Sequence, residues 1–477
     1  MKIAIVGAGC SAVLLCKELA RQGHDAAVSE ITVYETTGHF GPGLPYGQAT
    51  TTPEFILNMA TSTLGTDVEH AYGFLKWLKA QPGCETTDLN DYVSRRQMGQ
   101  YLVKELELAR HTLARFNIQL RTLAQTVIDV KAERPGYTVT TAQGDERFDN
   151  VVLAVGHLKK QTPYPDLAHY YANPYHDLER LKTQVRPGAT VGILGTKLTA
   201  VDMALMLSGL GAGHVAIYSN SGRIPLVRGA VLDNPVGTQR RLPERVSISG
   251  FLSSFRHMRS FSAEYKGLFA PLEPLERLQR EIQAAAHVRD WQIWLDATKT
   301  WIDEFWTRLD TVQKRRFQRK YQGLWMSYRH PMPLDNALKL EALIKAGRVS
   351  IHRGYKATRA DAQGNILIDL SGQTLSVDYA IDATGFAGNL ARLDSPLIEN
   401  LLDRGLIRQN SHGGIAINPT THLIDGQRGV YAIGPLTQGS LFYVSAIERL
   451  AVHARNLVTH LMTNNSRVQP SLSSLQQ

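Results

Sequence analysis

Gly7-Ala8-Gly9-Cys10-Ser11-Ala12 carries the strongest chemical signal in this 477-residue chain. Its spacing is G-x-G-x-x-A. Gly7 permits a tight turn, Gly9 lets backbone approach a pyrophosphate, and Ala12 lets the following helix pack closely on the preceding strand. Cys10 and Ser11 then open a helix whose free N–H groups and positive dipole end suit phosphate oxygens. Glu35 follows the next apolar segment. A carboxylate there accepts hydrogen bonds from a ribose 2′-OH and repels a 2′-phosphate. The group predicts an adenine-dinucleotide site. The competing reading is a glycine-rich loop in a Rossmann-like domain that binds another ligand, such as a methyl donor.

The surrounding elements must hold that turn. Lys2 to Val6 (KIAIV) reads as a short strand buried on both faces, as parallel strands are. Ser11 to Arg21 has helical spacing of apolar residues. Ile31 to Tyr34 (ITVY) reads as the next strand. The plan recurs: Thr190 to Leu194 (TVGIL), then Gly195-Thr196-Lys197-Leu198-Thr199-Ala200, a helix over Val201 to Leu207, and Val215 to Tyr218 (VAIY), ending in Ser219-Asn220-Ser221-Gly222-Arg223. Here Lys197 stands where the second glycine belongs. Its charge at a helix N-terminus is unfavourable by about 0.3–1 kcal/mol unless an anion offsets it. Either Lys197 binds a phosphate directly, with Gly195, Thr199 and Arg223 around it, or the unit keeps the fold and holds its nucleotide poorly. Three more apolar strands run into glycines: Val151–Gly156, Tyr379–Phe386 (through Gly385) and Gly429–Pro435 (through Gly434). A helix is expected from about Val444 to Leu461.

In this order the motifs resemble the flavoproteins with two dinucleotide-binding domains, in which an FAD domain is interrupted by an NAD(P)H-binding one. The chain resembles the bacterial FAD/NAD(P)-binding family of the YdhS-like type. It is more distantly similar to the flavin-dependent N-hydroxylating monooxygenases acting on ornithine or lysine. Beyond the two turns, the matching residues are Gly43-Leu44-Pro45-Tyr46-Gly47, Leu57-Asn58-Met59-Ala60, Arg95 to Leu102, Ala383-Thr384-Gly385-Phe386 and Ile433-Gly434-Pro435-Leu436-Thr437. The resemblance implies that Gly7, Gly9, Ala12 and Glu35 hold the FAD pyrophosphate and ribose. It places Pro45, Tyr46, Leu57, Asn58 and Met59 near the isoalloxazine ring, with Asn58 and Tyr46 in the catalytic region. Arg96 would brace nearby loops, and Gly434, Pro435 and Leu436 would line the ribityl side. Without the resemblance, Asn58 also reads as a turn residue and Tyr46 as a core aromatic. The family pattern has glycine at Lys197 and tends to carry an Arg pair where Asn220 and Ser221 stand. FAD is therefore the expected cofactor, and NADP(H) or NAD(H) use hangs on those departures.

Composition bounds the rest. The net charge is +9, with 43% apolar and 20% charged residues. These values suit globular domains and exclude a disordered or collagen-like chain. Cys10, Cys16 and Cys84 form no CxxC, so neither a disulfide framework nor a cysteine zinc site is expected, and a reducing, cytoplasmic setting fits. No apolar run spans a membrane, and no nucleic-acid module is recognisable. The 16 histidines show no metal-ligand spacing; His157, His257 and His330 stand singly. Leu252 to Tyr328 reads as helical and aromatic (Trp291, Trp294, Trp301, Phe305, Trp306), more a subdomain core than a substrate box. Lys314 to Lys320 is a basic run, read as a solvated face or an anion patch.

The expectation is an α/β protein of two Rossmann-like dinucleotide-binding domains with a helical insert. Residues 1–187 and 376–462 would form a discontinuous FAD domain. Residues 188–375 would form the second domain, with the insert at about 240–345 and a flexible tail at 463–477. The expected activity is that of an FAD-dependent oxidoreductase, foremost a monooxygenase acting on a small nitrogen-containing metabolite with O2. The alternatives are an FAD oxidase or dehydrogenase with a degenerate nicotinamide site, and a non-catalytic FAD-binding protein.

Overall fold

A computed structural model describes residues 1–22, 28–70, 72–230, 246–256 and 272–466. His257, the start of the insert at 240–245 and the tail beyond 466 lie outside these residues. The tail was expected from 463, but the last helix, Ile447–Ser466, continues through 463–466.

Two parallel sheets carry the molecule. In the first, β1 (Lys2–Val6) lies between β2 (Glu30–Tyr34) and β7 (Asn150–Leu153), with β3 (Gln119–Leu123) and β16 (Val430–Ala432) at the edges. Ile3, Ala4 and Ile5 are fully buried, because helices Cys10–Gln22, Arg95–Arg115 and Ile447–Ser466 cover one face of the sheet, and the antiparallel strands within Val127–Phe148 with helix Pro396–Asp403 cover the other. In the second, β9 (Thr190–Leu194) lies between β10 (His214–Ser219) and β15 (Tyr379–Asp382), with β11 (Val349–Arg353) and β8 (Tyr170–Tyr171) at the edges. A three-stranded antiparallel meander precedes the returning strand of each sheet: β4–β6 (within Val127–Phe148) before β7, and β12–β14 (within Tyr355–Val377) before β15. The two halves are therefore built to one plan. β15 pairs with β9 and β8, and so belongs to the second sheet. Sheet membership changes near 154–170 and 382–430, not at 187 and 376, because backbone pairing decides membership and a composition break does not.

The two chain crossings lie side by side. After β7 the His157 ring stacks on Phe386, which follows β15, with centroids 3.4 Å apart. Lys160 pairs with Asp382 at 2.8 Å. The insert splits between two cores. Leu278, Met332, Ala337 and Leu340 join the core of the second sheet. Trp291, Trp294, Trp301, Phe305, Trp306, Phe317 and Trp325 form a separate aromatic cluster. In the basic helix Thr311–Lys320, Phe317 turns into that cluster while Arg315, Arg316, Arg319 and Lys320 are exposed.

Helix Arg95–Arg115 ties the sheets together. Ser94 caps it, with Gln97 closing a capping box. This puts two cations in the first turn, against the dipole. Arg95 answers by reaching Asp202 of the second domain at 2.6 Å and the Tyr175 hydroxyl at 3.2 Å. Arg96 donates to the carbonyls of Thr51 at 2.6 Å and Gln48 at 3.1 Å. Asp202 is 4% exposed, so losing Arg95 strands a buried carboxylate. Arg95→Met is expected to cost about 3–5 kcal/mol, and Arg95→Met with Asp202→Leu to recover more than half of it. Urea-unfolding midpoints of the single and double variants measure both.

Candidate functional site

Gly7 has φ +97°, and a Cβ there would stand 2.5 Å from the Ala154 carbonyl oxygen. Gly195 has φ +111°, and its Cβ would stand 2.6 Å from the Ala383 oxygen. Each turn is wedged beneath the end of its returning strand, and only glycine satisfies both the dihedral and the space. Gly9 lies against Gly43, whose Cβ would come within 2.9 Å of the Gly9 Cα. Helix Cys10–Gln22 thus starts at a bare backbone cradle. Ala12 is buried beneath it, where its small side chain lets helix meet strand.

One cleft of about 2110 Å³ runs across both turns. Gly7, Gly9, Cys10, Ser11, Glu35, Pro45, Tyr46, Arg96, Gly156, Pro435 and Leu436 line it from the first domain and its crossing, and Gly195, Lys197, Thr199 and Gly385 from the second. Glu35 is already organised. Its carboxylate accepts from the Ala8 amide at 3.1 Å and from the Thr37 amide and hydroxyl at 3.1 and 3.0 Å. Gly99, inside the helix, admits the Tyr46 carbonyl, which a Cβ would meet at 2.3 Å. Burial holds the Tyr46 phenol above its ordinary range, so it stays neutral. A bare glycine cradle, a helix N-terminus and an oriented carboxylate on one wall fit an adenine dinucleotide such as FAD.

Other expected residues stand off this wall. Leu57 is 5% exposed in the core. The Asn58 carbonyl accepts from Arg228 Nε at 3.1 Å, and Met59 Sδ lies 3.4 Å from the same guanidinium. These contacts draw the segment toward the second domain. Gly434 has φ +83° and sits against the Ser11 hydroxyl. Arg223 offers its carbonyl to the Thr196 hydroxyl at 2.6 Å and to the Lys197 ammonium at 3.1 Å.

Lys197 is folded across the second turn. Besides Arg223, its ammonium donates to the Ser327 hydroxyl of helix Gln322–Arg329 in the insert. Burial, aided by the Arg223 charge, pulls its pKa down to about 8.

Sequence reasoning passed over Ser219. In register, Leu194 pairs with Tyr218 as Val6 pairs with Tyr34, so Ser219 holds the place of Glu35 in the second unit. Its hydroxyl accepts from the Gly222 amide at 3.0 Å. Aligning VAIY-S with ITVY-E exposes the correspondence. His330, Trp325, Phe442 and Tyr443 also line the cleft. Burial, with Arg329 and Arg228 nearby, lowers the His330 pKa to about 3, so its ring is neutral. Trp325 and His330 fall where the resembling family carries a Trp and then an Arg-His-Arg run, here Arg329-His330-Pro331, and no local motif marks Phe442 or Tyr443.

Residues 4–158 match a family described as FAD-NAD(P)-binding. No curated protein matches the chain in sequence. Among solved structures, it is similar to the L-lysine 6-monooxygenase of Pseudomonas syringae, with TM-score 0.60 and 15% identity over 97% of this chain and 99% of that one. The cadaverine monooxygenase of Erwinia amylovora, solved with FAD, gives TM-score 0.62 and 12% identity over 97% and 94%. The bacillithiol disulfide reductase of Staphylococcus aureus gives TM-score 0.50 and 14% identity over 97% and 98%. At these identities the likeness is one of fold: the chain has the two-domain architecture of flavin monooxygenases. No described helix is long and apolar enough to cross a membrane.

The Lys197 geometry makes a pH prediction. Its folded pKa of about 8 lies below the ordinary 10.5, so the unfolded chain binds more protons between those values. Stability should therefore rise with pH across that window, by about 1–3 kcal/mol. The comparison is the wild type minus Lys197→Met, which lacks the titration, in denaturant melts at pH 7, 8.5 and 10. A flat difference would remove the buried-ammonium account.

Proposed function

We propose that the protein is an FAD-dependent monooxygenase that uses NAD(P)H and O2 on a small nitrogen-bearing substrate. The observation that carries this reading is the pair of matched glycine turns, Gly7 and Gly195, opening on one cleft. One site can hold FAD and the other the reductant that feeds it. The overall reaction would be R–NH2 + O2 + NADPH + H⁺ → R–NHOH + H2O + NADP⁺.

Bound flavin would supply hydride acceptance and oxygen activation. The chain's own residues would do the rest. Gly7, Gly9 and the helix amides would seat the pyrophosphate, and Glu35 the ribose. Tyr46, Pro435 and Leu436 would close the inner cleft against water. The neutral imidazole of His330 can exchange a hydrogen bond with the substrate without adding a charge of its own. Ser219, unlike Glu35, puts no carboxylate where a 2′-phosphate would sit, which favours NADPH over NADH.

Lys197 supports a second reading, an oxidase or dehydrogenase reduced by its own substrate, since a side chain fills the place where backbone would approach pyrophosphate. A dithiol reductase is not supported. Burial pushes Cys10 and Cys16 up to about 12, which keeps both as inert thiols.

Anaerobic stopped-flow at the flavin visible band separates the readings. NADPH is expected to bleach the flavin at least about tenfold faster than NADH. Ser219→Glu should raise the NADPH Kd by about 10–100-fold and leave NADH nearly unchanged, as charge repulsion requires. Bleaching by an amine but by neither nucleotide would replace the monooxygenase with the oxidase.

A further inference from the structure

The second turn departs from the first at one position. Gly9 leaves bare backbone just before helix Cys10–Gln22, whereas Lys197 stands at the corresponding place, the N-cap of helix Leu198–Gly209. That helix has no side-chain cap. Lys197 thus adds a cation where the helix dipole is already positive, and the Arg223 charge lies near it. Among the described residues Lys197 has no carboxylate partner. Its ammonium donates to the Arg223 carbonyl at 3.1 Å and to the Ser327 hydroxyl, and both acceptors are neutral. An ammonium withdrawn from water onto neutral acceptors, beside another cation, is held against its electrostatics. An anion at the turn would relieve all of this at once.

The contacts that hold it can be given up. The Arg223 carbonyl also accepts from the Thr196 hydroxyl at 2.6 Å, and the Ser327 hydroxyl also donates to the Gly323 carbonyl at 3.2 Å. Ser327 is 1% exposed, yet departure of Lys197 leaves neither acceptor stranded. The ammonium has somewhere to go, since Gly195, Thr199, Ser219 and Ser221 line the cleft together with Lys197. A flexible four-carbon stem pivoting at the N-cap can carry its charge from the insert to the first amides of its own helix. Ser327 belongs to helix Gln322–Arg329, whose Gln322, Gly323 and Met326 also line the cleft. The resting bond therefore ties the turn to the insert.

We propose that Lys197 is a displaceable phosphate ligand: at rest it lies on Ser327 and the Arg223 carbonyl, and an incoming nicotinamide dinucleotide draws its ammonium onto the pyrophosphate. The side chain then supplies the contact that bare backbone supplies at Gly9. The assignment rests on the reading that the second turn binds NAD(P)H, and it names the residue that grips the phosphates there. Lys197 occupies the N-cap, over which the pyrophosphate passes, while Ser219 stands at the strand end, beside the ribose 2′-position. The pyrophosphate is common to both nucleotides, so Lys197 sets the affinity for each and Ser219 the choice between them.

Calorimetry on the FAD-loaded protein would titrate NADP⁺ and NAD⁺, which bind without reducing the flavin. Lys197→Met keeps the length of the stem and removes the charge. It should weaken both nucleotides by the same factor, at least about tenfold. Ser327→Ala removes the resting contact and should tighten both about twofold to fivefold. In the Lys197→Met background the Ser327→Ala change should do nothing, because no ammonium remains to be released. Each variant should keep stoichiometric FAD. Unchanged or tighter binding by Lys197→Met would overturn the proposal and leave Lys197 as an obstruction. Weakening of NADP⁺ alone would move the contact to the 2′-phosphate and so refute the pyrophosphate assignment. Binding that is unchanged or weaker in Ser327→Ala would rule out the resting contact. If neither nucleotide binds the wild type or any variant with FAD in place, the NAD(P)H reading itself falls, an outcome distinct from the other three.

Discussion

At Gly7 and Gly195 the backbone runs so close to the returning strand that a Cβ would overlap a carbonyl oxygen. That steric fact organises the molecule. Each turn must pass under the end of β7 or β15, so the strand C-termini, the glycines and the helix N-termini converge at one edge of each sheet. The edge is where ligands bind in open parallel sheets, because the chain leaves the sheet there in opposite directions. Positive φ alone would tolerate an occasional Asn, but the contact with Ala154 and Ala383 does not.

The two edges face each other because buried polar contacts hold them so. Arg95 crosses to Asp202, and Lys160 meets Asp382 beside the stacked His157–Phe386 pair. The insert is pinned as well. Lys197 reaches Ser327, Asp303 pairs with Arg449, and His453 donates to Asp303 at 3.0 Å. Asp303 is held well below the usual carboxylate range, by its bond to His453 and the Arg449 charge, and so stays ionised. Charges this enclosed are costly when unpaired, so they specify one arrangement of domains more than they add stability. The aromatic insert then meets the cleft with Phe317 and Trp325, at the edge of its own buried cluster.

The consequence is a division of chemistry along the cleft. The end near Gly7 carries oriented amides and a carboxylate. The end near Gly195 repeats that plan with a hydroxyl and a lysine. Between them lie neutral, apolar groups: Tyr46, Leu436, Trp325 and the uncharged His330.

The sequence alone determined the α/β class, the two glycine turns, the strands that feed them and Glu35, because each depends on backbone conformation or burial pattern within a few neighbouring residues. It also made the aromatic run of the insert legible as a core. The tertiary structure decided where those pieces meet. Pairing moved β8 and β15 into the second sheet, although their local pattern could not show a partner more than a hundred residues away. Arg228 drew Asn58 and Met59 off the cleft wall, and register put Ser219 opposite Glu35. Trp325, Phe442 and His330 became cleft residues only because the insert folds back onto the loop after Leu436. Such convergence is set by long-range packing, which leaves no local spacing to read.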